Sequence, residues 1–250
     1  MKRWLLPTLL LAGLVAAWQV AASSGLLANL LNLEDFLVPS PAEIATALWE
    51  NRSLLAENAW VTLQEVLLGI ACALAAGLGF AVLLHFSETL RRAAYPLLVA
   101  SQAIPILAIA PILVVLFGWG IGPKLMIVAL ICFFPITVNT LDGLRSVDPE
   151  AIKMMRTLDA TRGQILRRVE APTALPFVFS GTKIAVAVAV IGAVFAEWAG
   201  ADAGLGVLIR EDNARLETAR LFATVAVLSA MAVALFGLLA LAERRVVTWR

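Results

Sequence analysis

A helix rises about 1.5 Å per residue and the hydrocarbon layer of a bilayer is about 30 Å thick, so a membrane span takes roughly 20 mostly apolar residues. Six stretches of this 250-residue chain meet that length with at most two charges each, near 4–22, 58–85, 94–117, 125–143, 176–199 and 219–242. They predict an all-α polytopic membrane protein with six transmembrane helices. The chain is 61% hydrophobic and 15% charged, against about half and about a quarter in an ordinary globular domain. No repeat of fixed period and no low-complexity linker interrupts it, so one transmembrane domain over residues 1–250 is expected.

The start, Met1-Lys2-Arg3 before an apolar run from Trp4 to Ala22, resembles a signal peptide, but its core is longer than a cleavable signal needs and no A-x-A site fits well. It reads as a retained first helix. Six spans put both termini on one side, and Lys and Arg are retained in cytoplasmic loops. With the amino terminus inside, thirteen basic residues fall in inner segments and five (Arg52, Lys124, Arg210, Arg215, Arg220) in outer ones. Lys183 remains in the fifth span, where snorkelling toward the cytoplasm is expected. Both termini are therefore read as cytoplasmic, in a bacterial inner membrane.

The outer segment from Ser23 to Glu57 carries Leu30, Leu31, Leu33, Phe36 and Leu37, which suit a membrane surface. Val38 to Pro41 breaks it, and Ser40 with Pro41 and Glu43 has the pattern of a helix start. The second span is rich in small residues, from Gly69 through Ala73 to Gly77 and Gly79. Such residues let helices approach closely in lipid.

Several functions are excluded by what is missing. A net charge of +1 with basic residues confined to loops argues against nucleic-acid binding. Cys72 and Cys132 lie in apolar stretches and read as packing residues, and His85, the single histidine, has no neighbours that suggest a metal site. No cofactor is called for. There is no G-x-x-x-x-G-K-[ST] phosphate loop, so ATP must be bound by another chain if it is used.

The loop from Val147 to Pro172 reads as two short helices joined by a bend. Asp148 can cap the first, with Pro149 and Glu150 in its first turn; Thr161 and Gln164 form a capping-box pattern for the second. Pro172 and Pro176 are expected to end that helix before the chain re-enters the membrane. Ile152, Met155 and Leu158 recur at three-residue spacing, an apolar ridge beside Lys153 and Arg156. Such an ordered, basic, amphipathic element suits either anionic lipid or the groove of a soluble partner.

This stretch resembles the EAA loop of binding-protein-dependent permeases, the membrane subunits of ATP-driven importers. Aligned by Pro172, its Lys153, Met154 and Met155 stand at the family's Glu-Ala-Ala and Asp159 at its glycine. Lys153 reverses the usual charge there. The segments Pro105 to Pro111, Phe117 to Gly122, Phe133 to Gly143, and Ala193 to Gly200 with Gly204 and Gly206 are similar to the nitrate, sulfonate, taurine and bicarbonate group. The run from Ile191 to Trp198 resembles importers of a thiamine-precursor pyrimidine or riboflavin. The resemblance implies two cytoplasmic ATP-binding subunits, a periplasmic or lipid-anchored solute-binding protein, and a permease homodimer. It also implies ATPase coupling through Ile152, Met154, Met155, Arg156, Leu158, Asp159, Ala160 and Thr161.

An ionisable group in hydrocarbon needs a partner, an interface or a water path. Asn139 and Asp142 share a face of the fourth span, Gln102 lies in the third, and Glu197 precedes Trp198 near the end of the fifth. These four are the candidates for the translocation pathway or its gates. Pro105, Pro111 and Pro135 mark expected kinks. A self-sufficient secondary transporter or channel is the alternative, but no carboxylate for ion coupling is evident in the middle of the spans. An intramembrane enzyme would need a catalytic set that is absent.

Overall fold

The computed structural model describes residues 2–249. Met1 and Arg250 lie outside the described residues, as do the side chains of Lys2, Arg3, Trp4, Leu5, Pro7, Leu27, Ala28, Leu31, Asp35 and Leu107, which include three of the basic residues counted above and one of the surface leucines. The described residues are helical with no strand. Among them, four helices are long and apolar enough to cross a membrane, Arg52–Phe86, Ile121–Arg145, Arg162–Gly200 and Thr218–Val246, with shorter apolar helices at Thr8–Ser23 and Ala108–Phe117.

Residues up to Val61 together with Ala203–Ala230 form one compact unit, and Thr62–Asp202 with the chain from Met231 onward forms another. The first unit holds α1 (Lys2–Ser23), α2 (Leu26–Leu31), a 3-10 turn (Asp35–Leu37) and α3 (Pro41–Glu50). The start of α3 is as its residues dictate: Glu43 N–H donates to Ser40 Oγ at 3.3 Å and Ser40 N–H to Glu43 Oε2 at 2.7 Å, a complete capping box. Gln19 of α1 accepts from Ala42 N–H at 2.9 Å. In the same unit lies α11 (Leu205–Arg215), whose first turn is fixed by Gly204 N–H donating to Asn58 Oδ1 at 2.7 Å. Buried Asp212 receives Arg220 Nε and Nη2 at 2.8 and 2.6 Å.

The second unit contains most of α4 (Arg52–Phe86), then α5 (Glu88–Ser101), α6 (Ile106–Phe117), α7 (Ile121–Arg145), α8 (Pro149–Thr157), α9 (Arg162–Ile165), α10 (Ala171–Gly200) and the end of α12 (Thr218–Val246). The stretch read as one span over 94–117 is two helices. Proline restricts the residue before it to extended backbone, so the helix stops ahead of Pro105, itself at φ −65°, ψ 116°. Pro96, Pro111 and Pro135 stay inside continuous helices. Between α6 and α7 the chain turns through Gly118 and Gly120 at φ +78° and +136°, values that favour glycine.

The most extensive helix packing in this unit joins α7 to α10. A Cβ on Gly181 would lie 2.7 Å from the Pro135 carbonyl, and one on Gly143 would lie 2.9 Å from Ala174 Cα. Backbones therefore touch where side chains would keep them apart, the arrangement that drives helix association in lipid. From α4, Gly77 presses against Ile136 of α7 in the same way, whereas Gly79 faces open space.

Candidate functional site

The loop between α7 and α10 folds from its own local signals. Asp148 Oδ1 accepts from Glu150 N–H at 2.9 Å and Pro149 opens α8. The helix stops at Leu158; Ala160 N–H then returns to the Met155 carbonyl at 3.1 Å, and Asp159 takes the left-handed conformation at φ +55°. The position aligned with the family's glycine thus has glycine's backbone, adopted by a residue type that tolerates it better than most. Thr161 and Gln164 form the expected capping box for α9, with Thr161 N–H donating to Gln164 Oε1 at 2.8 Å.

Pro172 and Pro176 do not end this helix. A wide π turn over Leu166–Glu170 carries α9 into α10 without interruption. Ala171 N–H reaches back to Leu166. That wide turn opens the backbone just ahead of Pro172, where a regular α-turn would drive the ring into a carbonyl.

The apolar ridge also differs from its expectation. Leu158 is 68% exposed and Met154 64%, whereas Ile152 and Met155 are half-buried. The reason is that α8 turns one side to a cleft of about 280 Å³, shared by Ile152, Arg156, Arg162 and Ile165 with His85 and Glu170. The exposed apolar pair on this helix is Met154 and Leu158, at i and i+4. In the same loop Arg156, Arg162, Arg167 and Arg168 are exposed, and Lys153 is held by Glu150 at 2.7 Å. Behind the loop, His85 Nε2 of α4 and Glu170 Oε2 share a hydrogen bond at 3.0 Å. Glu88, at the rim, accepts from Arg92 at 2.9 Å and is also paired with Arg91, and these guanidiniums hold its carboxyl below the ordinary carboxylate range.

The four pathway candidates are not brought together. Gln102 lies at the break between α5 and α6, on a cavity of about 510 Å³. Asn139 Nδ2 donates to the Pro135 carbonyl of its own helix at 2.8 Å. Asp142 is exposed and lines a different pocket with Arg91, Arg92 and Arg145. Glu197 is fully buried, accepting from the Thr62 hydroxyl at 2.6 Å.

One assignment from the sequence is corrected. Lys124, counted as an outer loop residue, sits in α7, where it is nearly buried and bonds Glu65 of α4 at 2.6 Å. Glu65 is the intramembrane carboxylate that the reading of the spans did not recognise, and Glu197 stands beside it. Lys183 of α10 pairs with Glu243, near the end of α12. A charge inside an apolar run was the signal in each case, but its partner stood some 60 residues away.

The sequence model of one family, described as binding-protein-dependent transport system inner membrane component, matches residues 66–248. The formylaminopyrimidine transport permease protein ThiX of Halalkalibacterium halodurans is 36% identical over 98% of this chain and 95% of its own length. The riboflavin transport system permease protein RibX of Chloroflexus aurantiacus is 37% identical over 86% of this chain and 81% of its own. Among solved structures, a chain of the inward-facing MetNI methionine ABC transporter superposes with a TM-score of 0.65, covering 79% of this chain and 96% of that one, at 22% identity.

Proposed function

The chain belongs to the binding-protein-dependent transport system inner membrane components and is the permease component of an ABC importer, and from that premise we propose how it is coupled, assembled and loaded. Two separate cytoplasmic subunits bind and hydrolyse ATP, and the loop over 147–172 is where they dock. A periplasmic or lipid-anchored binding protein delivers the solute. Both termini are cytoplasmic, in line with the distribution of basic residues. The chain pairs with itself across a central pathway, since a two-fold ATPase dimer needs two docking loops and this chain has one. The names of its relatives support a thiamine-precursor pyrimidine or riboflavin as solute, with a nitrate-, sulfonate- or taurine-like anion as the other choice.

The observation that carries this reading is the exposed pair Met154 and Leu158 on a short, doubly capped helix-bend-helix. A flexible thioether and a leucine held on a rigid support suit an irregular apolar groove. Replacing Leu158 by Glu places an unpaired charge in that groove, which typically costs about 2 to 5 kcal/mol. The Leu158→Glu protein should reach the membrane normally, fail to co-purify with its ATP-binding subunit and lose uptake. Unchanged co-purification and transport at the normal rate would contradict the docking role and leave an interfacial, lipid-bound hairpin.

A further inference from the structure

Irregular backbone at membrane depth is tolerated only where protein buries it or where it lines a cavity. The break between α5 and α6 lines one. There Gln102, Ala103 and Ile104 donate to the carbonyls three residues back, the first turn of α6 has no side-chain cap, and a cavity of about 510 Å³ opens beside it. That volume lies within the range of small-molecule pockets, roughly 300 to 1,000 Å³. Its walls are Ile106 of α6, Ile131 of α7 and Ile191 of α10 with further aliphatic side chains, and its polar groups are Ser101 and Gln102.

We propose that this cavity is a solute subsite of the translocation pathway, built for an uncharged, largely apolar solute that presents an amide-like donor–acceptor edge. The proposal rests on the permease reading above and separates the two solute classes left open there. Among the described residues no side chain lining the cavity is charged. An anion leaving water here would find no cation, because both lysines in the spans of this unit are already engaged, Lys124 by Glu65 at 2.6 Å and Lys183 by Glu243. Arg91, Arg92 and Arg145 line a different pocket, with Asp142. An anion that sheds hydration without a replacement partner is strongly disfavoured.

Gln102 supplies what an uncharged heterocycle needs. Its amide holds a donor and an acceptor side by side, able to pair with two adjacent groups on the edge of an aminopyrimidine or a cyclic imide. It is exposed and lines the cavity, and among the described residues its side chain makes one long bond, 3.4 Å from Nε2 to Ser101 Oγ, so it can turn to a solute at little cost. Ser101 spends its hydroxyl proton on the Leu98 carbonyl at 2.7 Å and offers an acceptor. The surrounding isoleucines add apolar contact without charge.

The test uses the purified complex of this chain with its ATP-binding subunit, without binding protein, in equilibrium dialysis against tritiated riboflavin, formylaminopyrimidine and taurine. At least one of the two heterocycles should be retained and taurine should not. Gln102→Leu, at an exposed position, should weaken retention about tenfold, the loss of one good hydrogen bond. Gln102→Lys should weaken it too and give the complex a measurable affinity for taurine. Retention of taurine by the unaltered complex, heterocycle binding indifferent to both Gln102 variants, or retention of no probe would each overturn the subsite. ATP hydrolysis by the same preparation, stimulated by the binding protein, tells the two failures apart. If hydrolysis persists, only the subsite falls; if the chain holds no ATP-binding subunit, the permease reading falls and the subsite with it.

Discussion

A lysine buried in an apolar bundle persists only beside a carboxylate, and Lys124 with Glu65 at 2.6 Å meets that condition with side chains 11% and 2% exposed. Removing one partner of such a pair strands a charge and costs about 3 to 5 kcal/mol, whereas replacing both by apolar residues is often neutral or stabilising. Lys124→Met and Glu65→Leu should therefore each lower the thermal stability of the detergent-purified protein, and the double variant should be more stable than either single one. Single variants as stable as the unaltered chain would show that the pair contributes nothing. Asp159 gives a second test at this scale. At φ +55° a side chain with Cβ is strained, and glycine relieves that strain at a cost in unfolded-state freedom. Asp159→Gly should keep ATPase co-purification intact, while Asp159→Val, β-branched, should distort the bend and reduce it. Equal co-purification in the two would contradict a required left-handed turn.

Among the elements, α7 and α10 meet backbone to backbone at Gly143 and Gly181. Gly181→Leu has no room beside the Pro135 carbonyl and should separate the helices, at the 1 to 3 kcal/mol or more that overpacking costs, roughly. Gly79→Leu, facing open space, should leave the protein monodisperse in size-exclusion chromatography. If both behave alike, the close crossing is not needed. What the sequence disclosed about the elements was what each encodes locally. Ser40, Asp148 and Thr161 cap helices because the cap and its donor lie two or three residues apart. The break at Pro105 was legible as a kink but not as an interruption, since proline inside α6 and α7 is tolerated and only the extended backbone at Pro105 decides between the two. The π turn at Leu166–Glu170 left no local mark apart from Pro172, whose ring it accommodates.

At the scale of the whole molecule, long apolar runs and the capped helix-bend-helix over 147–172 were enough to read a polytopic permease, because both are set by composition and by spacing over a few residues. The polar contacts within the spans were not, because each joins residues far apart in the chain: Glu65 with Lys124, His85 with Glu170, Lys183 with Glu243. The charges were visible and their partners were not. One consequence for assembly is that the purified transporter should contain two copies of this chain for two ATP-binding subunits; native mass spectrometry showing one copy and no second permease would rule out the symmetric pair. The central claim is that this chain forms a pathway driven by ATP hydrolysed elsewhere, and the most direct measurement is solute uptake into proteoliposomes. Uptake of the solute captured by the binding protein should require the chain, its ATP-binding subunit, the binding protein and ATP together, and should vanish when any one is left out. Uptake by the chain alone, down a solute gradient or driven by a proton or sodium gradient without ATP, would contradict the account and make it a self-sufficient transporter.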